Sequence, residues 1–245
     1  MEVYSSMSDR KRTGKKQFAI LIDPDKTDTQ KLEILAKSGR KHHVDWFFVG
    51  GSLLTTNSLD HCIKVLQENA GIPVVLFPGN TLQMSTRADG ILFLSLISGR
   101  NAEMLIGRHV IAAPYLKISK LEVISTGYML IESGKPTAVS YMSNSVPIPA
   151  DKADIAACTA MAGEMLGMKL IFMDAGSGAN QPVSAEMISA VSNSIDIPLI
   201  LGGGIDTPDK AQNAFRAGAD MIVVGNAIEK NPDLIAGIAR VAQSF

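Results

Sequence analysis

Eight short apolar runs recur along the chain, most of them followed by an amphipathic stretch, and this alternation limits the fold more than any other feature. The runs are FAILID (18–23), DWFFVG (45–50), PVVLF (73–77), ILFLS (91–95), GYMLIE (127–132), KLIFMD (169–174), PLILG (198–202) and DMIVVG (220–225). Near-continuous apolarity is how strands read when helices cover both faces of a parallel sheet. Helices are predicted at 28–39, 57–69, 151–167, 184–194, 207–217 and 231–243. Asp28, Asp151, Ser184 and Thr207, the last followed by Pro208, serve as capping signals. Eight βα units in alternation predict a closed (β/α)8 TIM barrel rather than an open doubly wound sheet. The chain's 245 residues match the roughly 250 of that fold.

Two gaps break the even spacing. Only NTLQMSTRAD (80–89) separates the third and fourth strands, too little for a helix with its loops, so the third helix is expected to be degenerate. About thirty residues separate the fourth and fifth strands; they include Pro114, and the adjoining segment 135–149 reads as extended ahead of its prolines. Residues 1–16 read as a solvated basic N-terminal tail (Arg10, Lys11, Arg12, Lys15, Lys16), able at most to draw the protein weakly toward an anionic membrane surface. Residues 17–245 read as a single barrel domain.

Composition narrows the function. Hydrophobic residues make up 46% and charged residues 19%, ample for a large core. A formal net charge of −1 argues against electrostatic capture of nucleic acid. No run reaches the about 18 apolar residues of a membrane span. Cys62 and Cys158 show no metal or disulfide spacing, which points to a reducing cytoplasm, and both read as small core residues. Met161, Met165 and Met168 likewise read as core or as a flexible apolar wall. The four histidines (His42, His43, His61, His109) lie away from strand ends, so general-base histidine chemistry is not supported.

Barrel active sites gather where strands end. At the first exit, Asp23-Pro24-Asp25-Lys26 puts a carboxylate at the mouth, a hard oxygen ligand suited to Mg²⁺ shared with a phosphate. The same residues would also make a plain turn and helix cap. The second exit, Gly50-Gly51-Ser52, offers amides and a hydroxyl; Phe77-Pro78-Gly79-Asn80 is a weaker version. Three exits together carry the strongest signal: Asp174-Ala175-Gly176-Ser177-Gly178, Gly202-Gly203-Gly204-Ile205 and Gly225-Asn226-Ala227-Ile228. Glycine clusters after strands six to eight predict a phosphomonoester held by loop amides. Asp174 could take a proton from a substrate hydroxyl, or simply bond the neighbouring amides.

Taken together, LIDPDK (21–26), FVGGS (48–52), FPGN (77–80), DAGSGA (174–179), GGGI (202–205) and VGNAI (224–228) resemble the geranylgeranylglyceryl phosphate synthase family, which includes the heptaprenylglyceryl phosphate synthases. The resemblance runs from about residue 17 to the C-terminus, and GYMLIESGKPTAVSYMSNSVPIP (127–149) looks like its longer-chain branch, found in some archaea and in Bacteroidetes-type bacteria. It implies transfer of a prenyl group from an allylic diphosphate to the 3-hydroxyl of sn-glycerol 1-phosphate. It also implies a barrel lacking its third helix, a Mg²⁺ cofactor at Asp23 and Ser52, and a homo-oligomer. Phe172, Met173, Asp174, Ala175, Gly176, Ser177, Gly178, Gly203, Gly204, Gly225 and Asn226 would hold glycerol 1-phosphate, with Asp174 as the catalytic base and the prenyl tail in an apolar groove across the barrel top. The family typically reads Tyr-Leu-Glu-Ala-Gly-Ser-Gly where this chain has Phe172 to Gly178, so Phe172 lacks a phenol and Asp174 is one methylene shorter. Two other readings stay open: a phosphate-binding barrel of the same family that has lost or altered catalysis, and a different phosphosugar barrel enzyme.

Overall fold

Each apolar run becomes a strand because its side chains are covered on both sides. In a computed structural model that describes residues 2–245, eight parallel strands close into a barrel in sequence order. They are β1 (Gln17–Ile22), β2 (Trp46–Val49), β3 (Val74–Leu76), β4 (Gly90–Leu96), β5 (Glu122–Leu130), β6 (Leu170–Asp174), β7 (Leu199–Gly202) and β8 (Met221–Val224). Closure is made by β8 against β1, with Phe18 opposite Ile222. Side chains alternate between two cores. Ala19, Trp46, Phe48, Val75, Leu92, Leu170, Phe172, Ile200 and Val223 fill the interior. Ile20, Phe47, Val74, Ile91, Ile171 and Leu201 pack outward under the helices.

The helices are α1 (Val3–Arg12), α2 (Thr29–Lys41), α3 (Leu59–Ala70), α4 (Arg108–Ile118), α5 (Ala138–Ser143), α6 (Ala153–Met165), α7 (Ala185–Ser192), α8 (Pro208–Arg216), α9 (Asn226–Lys230) and α10 (Leu234–Gln243). A π-helical turn, Glu103–Gly107, leads into α4. Asp28, Ser184 and Thr207 cap as read from the sequence, each side chain accepting from an amide of the first turn. Asp151 does not: α6 starts after Lys152, with no side-chain cap.

No helix joins β3 to β4. The connection is pinned instead by Gln83, a buried amide whose Oε1 accepts from Gly51 N (3.2 Å) and Gly79 N (3.1 Å) while its Nε2 donates to Gly51 O (2.8 Å). That clamp presses the β2 and β3 exits together so closely that a Cβ on Gly50 would sit 2.1 Å from the Phe77 carbonyl oxygen.

Several expectations need correcting. The basic N-terminal segment is no solvated tail. Residues 3–12 form a helix that closes the barrel floor, burying Val3 and Met7 against Ala19 and Trp46, at about 1.5–3 kcal/mol for each side chain. Arg10 pairs with Asp45, and Lys11 and Lys16 with Asp220, so most of the charge meant for a membrane surface is spent internally. The 135–149 segment contains α5, started by a Thr137–Ser140 capping box, rather than extended chain alone. The fifth strand begins at Glu122, five residues before its apolar run. Cys62 is buried but Cys158 is exposed on α6, as is Met165, because that helix turns these positions away from the barrel.

Candidate active site

All three glycine-rich exits meet above the C-terminal ends of β6, β7 and β8. Ser177 Oγ accepts from Asn226 Nδ2 at 2.8 Å, joining the β6 and β8 exits. A Cβ on Gly203 would lie 2.7 Å from Gly176 N, joining β7 to β6. Gly176, Gly178, Gly203 and Gly204 have φ of 89°, 72°, 82° and 71°, a region that costs other residues about 1–2 kcal/mol. Among the described residues, the N–H groups of Ser177, Gly178, Gly203 and Gly204 find no protein acceptor. Amides left unpaired at a cavity mouth make an anion-binding cradle. Of the candidate stretch 172–178, Phe172, Asp174, Gly176, Ser177 and Gly178 line the cavity. Met173 and Ala175 face the outer core. Gly225 and Asn226 line the cavity too.

Asp174 ends β6 with both oxygens engaged. Oδ1 accepts from Gly176 N at 2.6 Å and Oδ2 from the Tyr128 hydroxyl at 2.5 Å. Burial pushes the Asp174 carboxyl above the usual carboxylate range, with the two hydrogen bonds working against the shift. Burial and the Asp174 charge push the Tyr128 phenol well above its ordinary value, so it stays a donor. Tyr128 was not singled out in the sequence, where it reads as one aromatic in an apolar strand. The register places it opposite Phe172, and with Phe77 the two rings form an aromatic cluster with centroids 5.1–6.1 Å apart. A phenol therefore does reach Asp174, from the neighbouring strand, although Phe172 itself carries none.

Across the mouth, Asp23 and Ser52 line the same cavity, and a Cβ on Gly51 would stand 3.3 Å from Asp23 Oδ2. Asp23 Oδ2 pairs with Lys26 Nζ at 2.8 Å. Glu229, missed from the sequence because it lies in a short helix past the last glycine exit, joins this group. Burial raises its pKa; Lys26 opposes the rise and Asp23 reinforces it. Asp25 is committed elsewhere: it accepts from the amides and hydroxyls of Thr55 and Thr56, and the Thr55 amide leads the hydrogen bonds that hold its pKa down to about 2. Among the described residues no three His, Cys, Asp or Glu side chains converge as a cage. The donor set fits Mg²⁺ nonetheless, because that ion commonly takes one or two carboxylates and completes its octahedron with water and substrate phosphate.

The cavity measures about 790 Å³, far more than a glycerol phosphate needs, and most of its wall is apolar. Ala138, Val139, Tyr141, Met142 and Ser143 of α5 line it. One branch leaves the barrel interior, since Ile91 and Phe93 belong to the outward face of β4 and meet His109, Ala112 and Leu116 of α4. His109 sits edge-on to Phe93, ring centroids 4.3 Å apart, and its Nδ1 is buried without a partner. Burial lowers its pKa, outweighing a bond to the Leu94 backbone, so the branch is lined by a neutral ring. The sequence reading set His109 aside because it lies far from every strand exit.

Comparison with known proteins agrees with this geometry. A family model described as the PcrB family matches residues 11–242. The geranylgeranylglyceryl phosphate synthase of Chitinophaga pinensis is 56% identical over 238 residues, covering 97% of this chain and 94% of that protein. The synthase of the same name from Flavobacterium johnsoniae is 46% identical, covering 94% of each. Among solved structures, (S)-3-O-geranylgeranylglyceryl phosphate synthase from Thermoplasma acidophilum, in complex with sn-glycerol-1-phosphate, superimposes with a TM-score of 0.94 at 31% identity over the full length of both chains.

Proposed function

The chain belongs to the PcrB family, and on that footing we propose that it transfers a geranylgeranyl group from its diphosphate to the 3-hydroxyl of sn-glycerol 1-phosphate. It is a prenyltransferase, and its product is an ether-lipid precursor. One observation carries the reading: four partnerless loop amides sit beside a buried carboxylate at the mouth of a large apolar cavity.

The phosphate of glycerol 1-phosphate rests on the Ser177, Gly178, Gly203 and Gly204 amides, with Gly225 and Asn226 closing the cradle. Its 3-hydroxyl then points at Asp174. As that oxygen bonds to the first carbon of the prenyl chain, the bond from this carbon to the diphosphate breaks, and the hydroxyl proton passes to Asp174. Raised by burial, the carboxyl is a better proton acceptor than an ordinary aspartate. Asp23 and Ser52 would hold Mg²⁺, which neutralises charge departing with the diphosphate. Lys26 adds a positive charge on the same side. The prenyl tail lies in the apolar part of the cavity, shielded from water by α5.

Retention of a buried, doubly hydrogen-bonded acid favours turnover over a barrel that only binds phosphate, and family membership sets aside the other phosphosugar enzymes. The exposed apolar side chains Ile106, Val110, Ile111 and Ile118 favour a homo-oligomer built on α4. No helix among the described residues is long and apolar enough to cross a membrane, and the cysteine usage favours the cytoplasm. The test is to incubate purified protein with sn-glycerol 1-phosphate, Mg²⁺ and labelled prenyl diphosphates. An organic-extractable phosphate product is expected; no product with any prenyl length rejects the reading.

A further inference from the structure

The chain that follows β5 passes beside the phosphate cradle before it starts α5, and the residues of that passage fix where one lysine stands. Gly134 has φ of 82° with nothing within 4 Å of an added Cβ, so it reverses the chain freely. Pro136 then restricts Lys135 to extended backbone. Thr137 anchors the far side. Its hydroxyl accepts from Ser140 N to start α5, and its side chain presses on the β6 exit so closely that a Cβ on Gly176 would stand 2.6 Å from Thr137 Cγ2. Between the turn and this anchor the Lys135 side chain lies beside the cradle. A Cβ on Gly178 would be 4.0 Å from Lys135 Nζ and 3.8 Å from Asn226 Nδ2.

Charge gives this placement a use. The four cradle amides and Asn226 are neutral donors, and a carboxylate, Asp174, lies beside them. A phosphomonoester carries roughly 1.5 to 2 negative charges at neutral pH, so the amide cradle alone brings like charges together with no cation between them. Other cations of the mouth are engaged on the opposite side. Lys26 pairs with Asp23, Lys230 acts with it on Glu229, and Arg108 donates to Gly79 O at 3.2 Å. Lys135 pairs with no carboxylate among the described residues. We propose that Lys135 is a further phosphate-binding residue, its flexible stem carrying Nζ over Gly178 to donate to the acceptor's phosphate and offset its charge against Asp174. The inference rests on the prenyl-transfer reading and deepens it: the acceptor site is completed by the loop after β5, not by the exits of β6 to β8 alone.

The experiment is calorimetric titration of sn-glycerol 1-phosphate into wild-type protein, Lys135→Ala, Lys135→Arg and Lys152→Ala, at low and high salt. Lys152, at the start of α6 on the same end of the barrel, controls for a general loss of positive charge. At low salt Lys135→Ala should bind about tenfold more weakly, the worth of a charge-assisted hydrogen bond at an exposed site. The gap should narrow as salt screens the pair. Lys135→Arg should stay within about threefold of wild type because it keeps the charge and the donors, and Lys152→Ala should match wild type. In kinetics Lys135→Ala should raise the KM for glycerol 1-phosphate by the same factor, with kcat and the KM for the prenyl donor nearly constant. Melting curves establish folding; if alanine disturbs the loop, Lys135→Gln repeats the test. A folded Lys135→Ala that binds as tightly as wild type overturns this inference, as does a Lys135→Arg no better than Lys135→Ala or an equal loss in Lys152→Ala. A wild type with no affinity for glycerol 1-phosphate overturns the prenyl-transfer reading itself, and this inference with it.

Discussion

Replacing Gly203 with alanine probes the point where the phosphate cradle and the proposed base touch. At its φ of 82° a side chain costs about 1–2 kcal/mol before any contact is considered. The added Cβ would stand 2.7 Å from Gly176 N and 2.9 Å from Asp174 Oδ1. Neither atom can yield without disturbing the 2.6 Å hydrogen bond between them, of a charged kind worth about 1.5–3 kcal/mol. The sum is about 2.5–5 kcal/mol, or roughly a 5–20 °C fall in melting temperature for a domain of this size. Gly71→Ala is the control: its φ is 66°, yet nothing lies within 4 Å of the new Cβ. It should cost the strain alone, about 1–2 kcal/mol. Thermal melts of both variants and the KM for glycerol 1-phosphate decide the matter. Gly203→Ala should melt well below Gly71→Ala and show a raised KM; a displacement on the order of 1 Å at Asp174 would further lower kcat by about a hundredfold. Coincident melts with unaltered kinetics would refute the claim that the β7 exit must press on Asp174.

Asp174→Asn should lower kcat by about 10² to 10⁴ while calorimetric affinity for glycerol 1-phosphate changes only a few-fold; unchanged kcat removes Asp174 as the base. Tyr128→Phe deletes a hydrogen bond that favours the ionised carboxylate, so the Asp174 pKa should climb further. Since the base works when ionised, activity rises with pH through that pKa, and the acid limb of kcat/KM must move to higher pH; an unmoved limb contradicts the pairing. Asp23→Asn should weaken the dependence of rate on Mg²⁺ concentration and raise the KM for the prenyl donor, leaving that for glycerol 1-phosphate nearly constant. Equal effects on both substrates would mean that Asp23 is not on the diphosphate side.

The barrel and its phosphate cradle were legible because their signals are local. Apolar runs mark strands covered on both faces, and glycines mark turns that need positive φ or close approach, as at Gly203 and Gly204. Features built across the chain were hidden. Tyr128 becomes a partner of Asp174 only once β5 and β6 are paired in register. The fate of residues 1–16 could not be read either, since α1 has only Val3 and Met7 buried and is otherwise polar. What orders it is distant: Glu122 receives the amides of Val3 and Tyr4, and Asp220 takes Lys11. The missing third helix was visible as a short spacer, but the cavity it opens depends on which faces of β4 and α4 look at each other, and so on His109, Ala112 and Leu116.

That distant anchoring of α1 has a consequence for how the molecule is made. During synthesis the first helix leaves the ribosome before anything it binds exists. Met7 has no barrel floor to enter until the strands have closed, and Lys11 waits for Asp220, near the other end of the chain. A segment translated ahead of all these partners is thus among the last to dock, and its docking reports that the ring has shut.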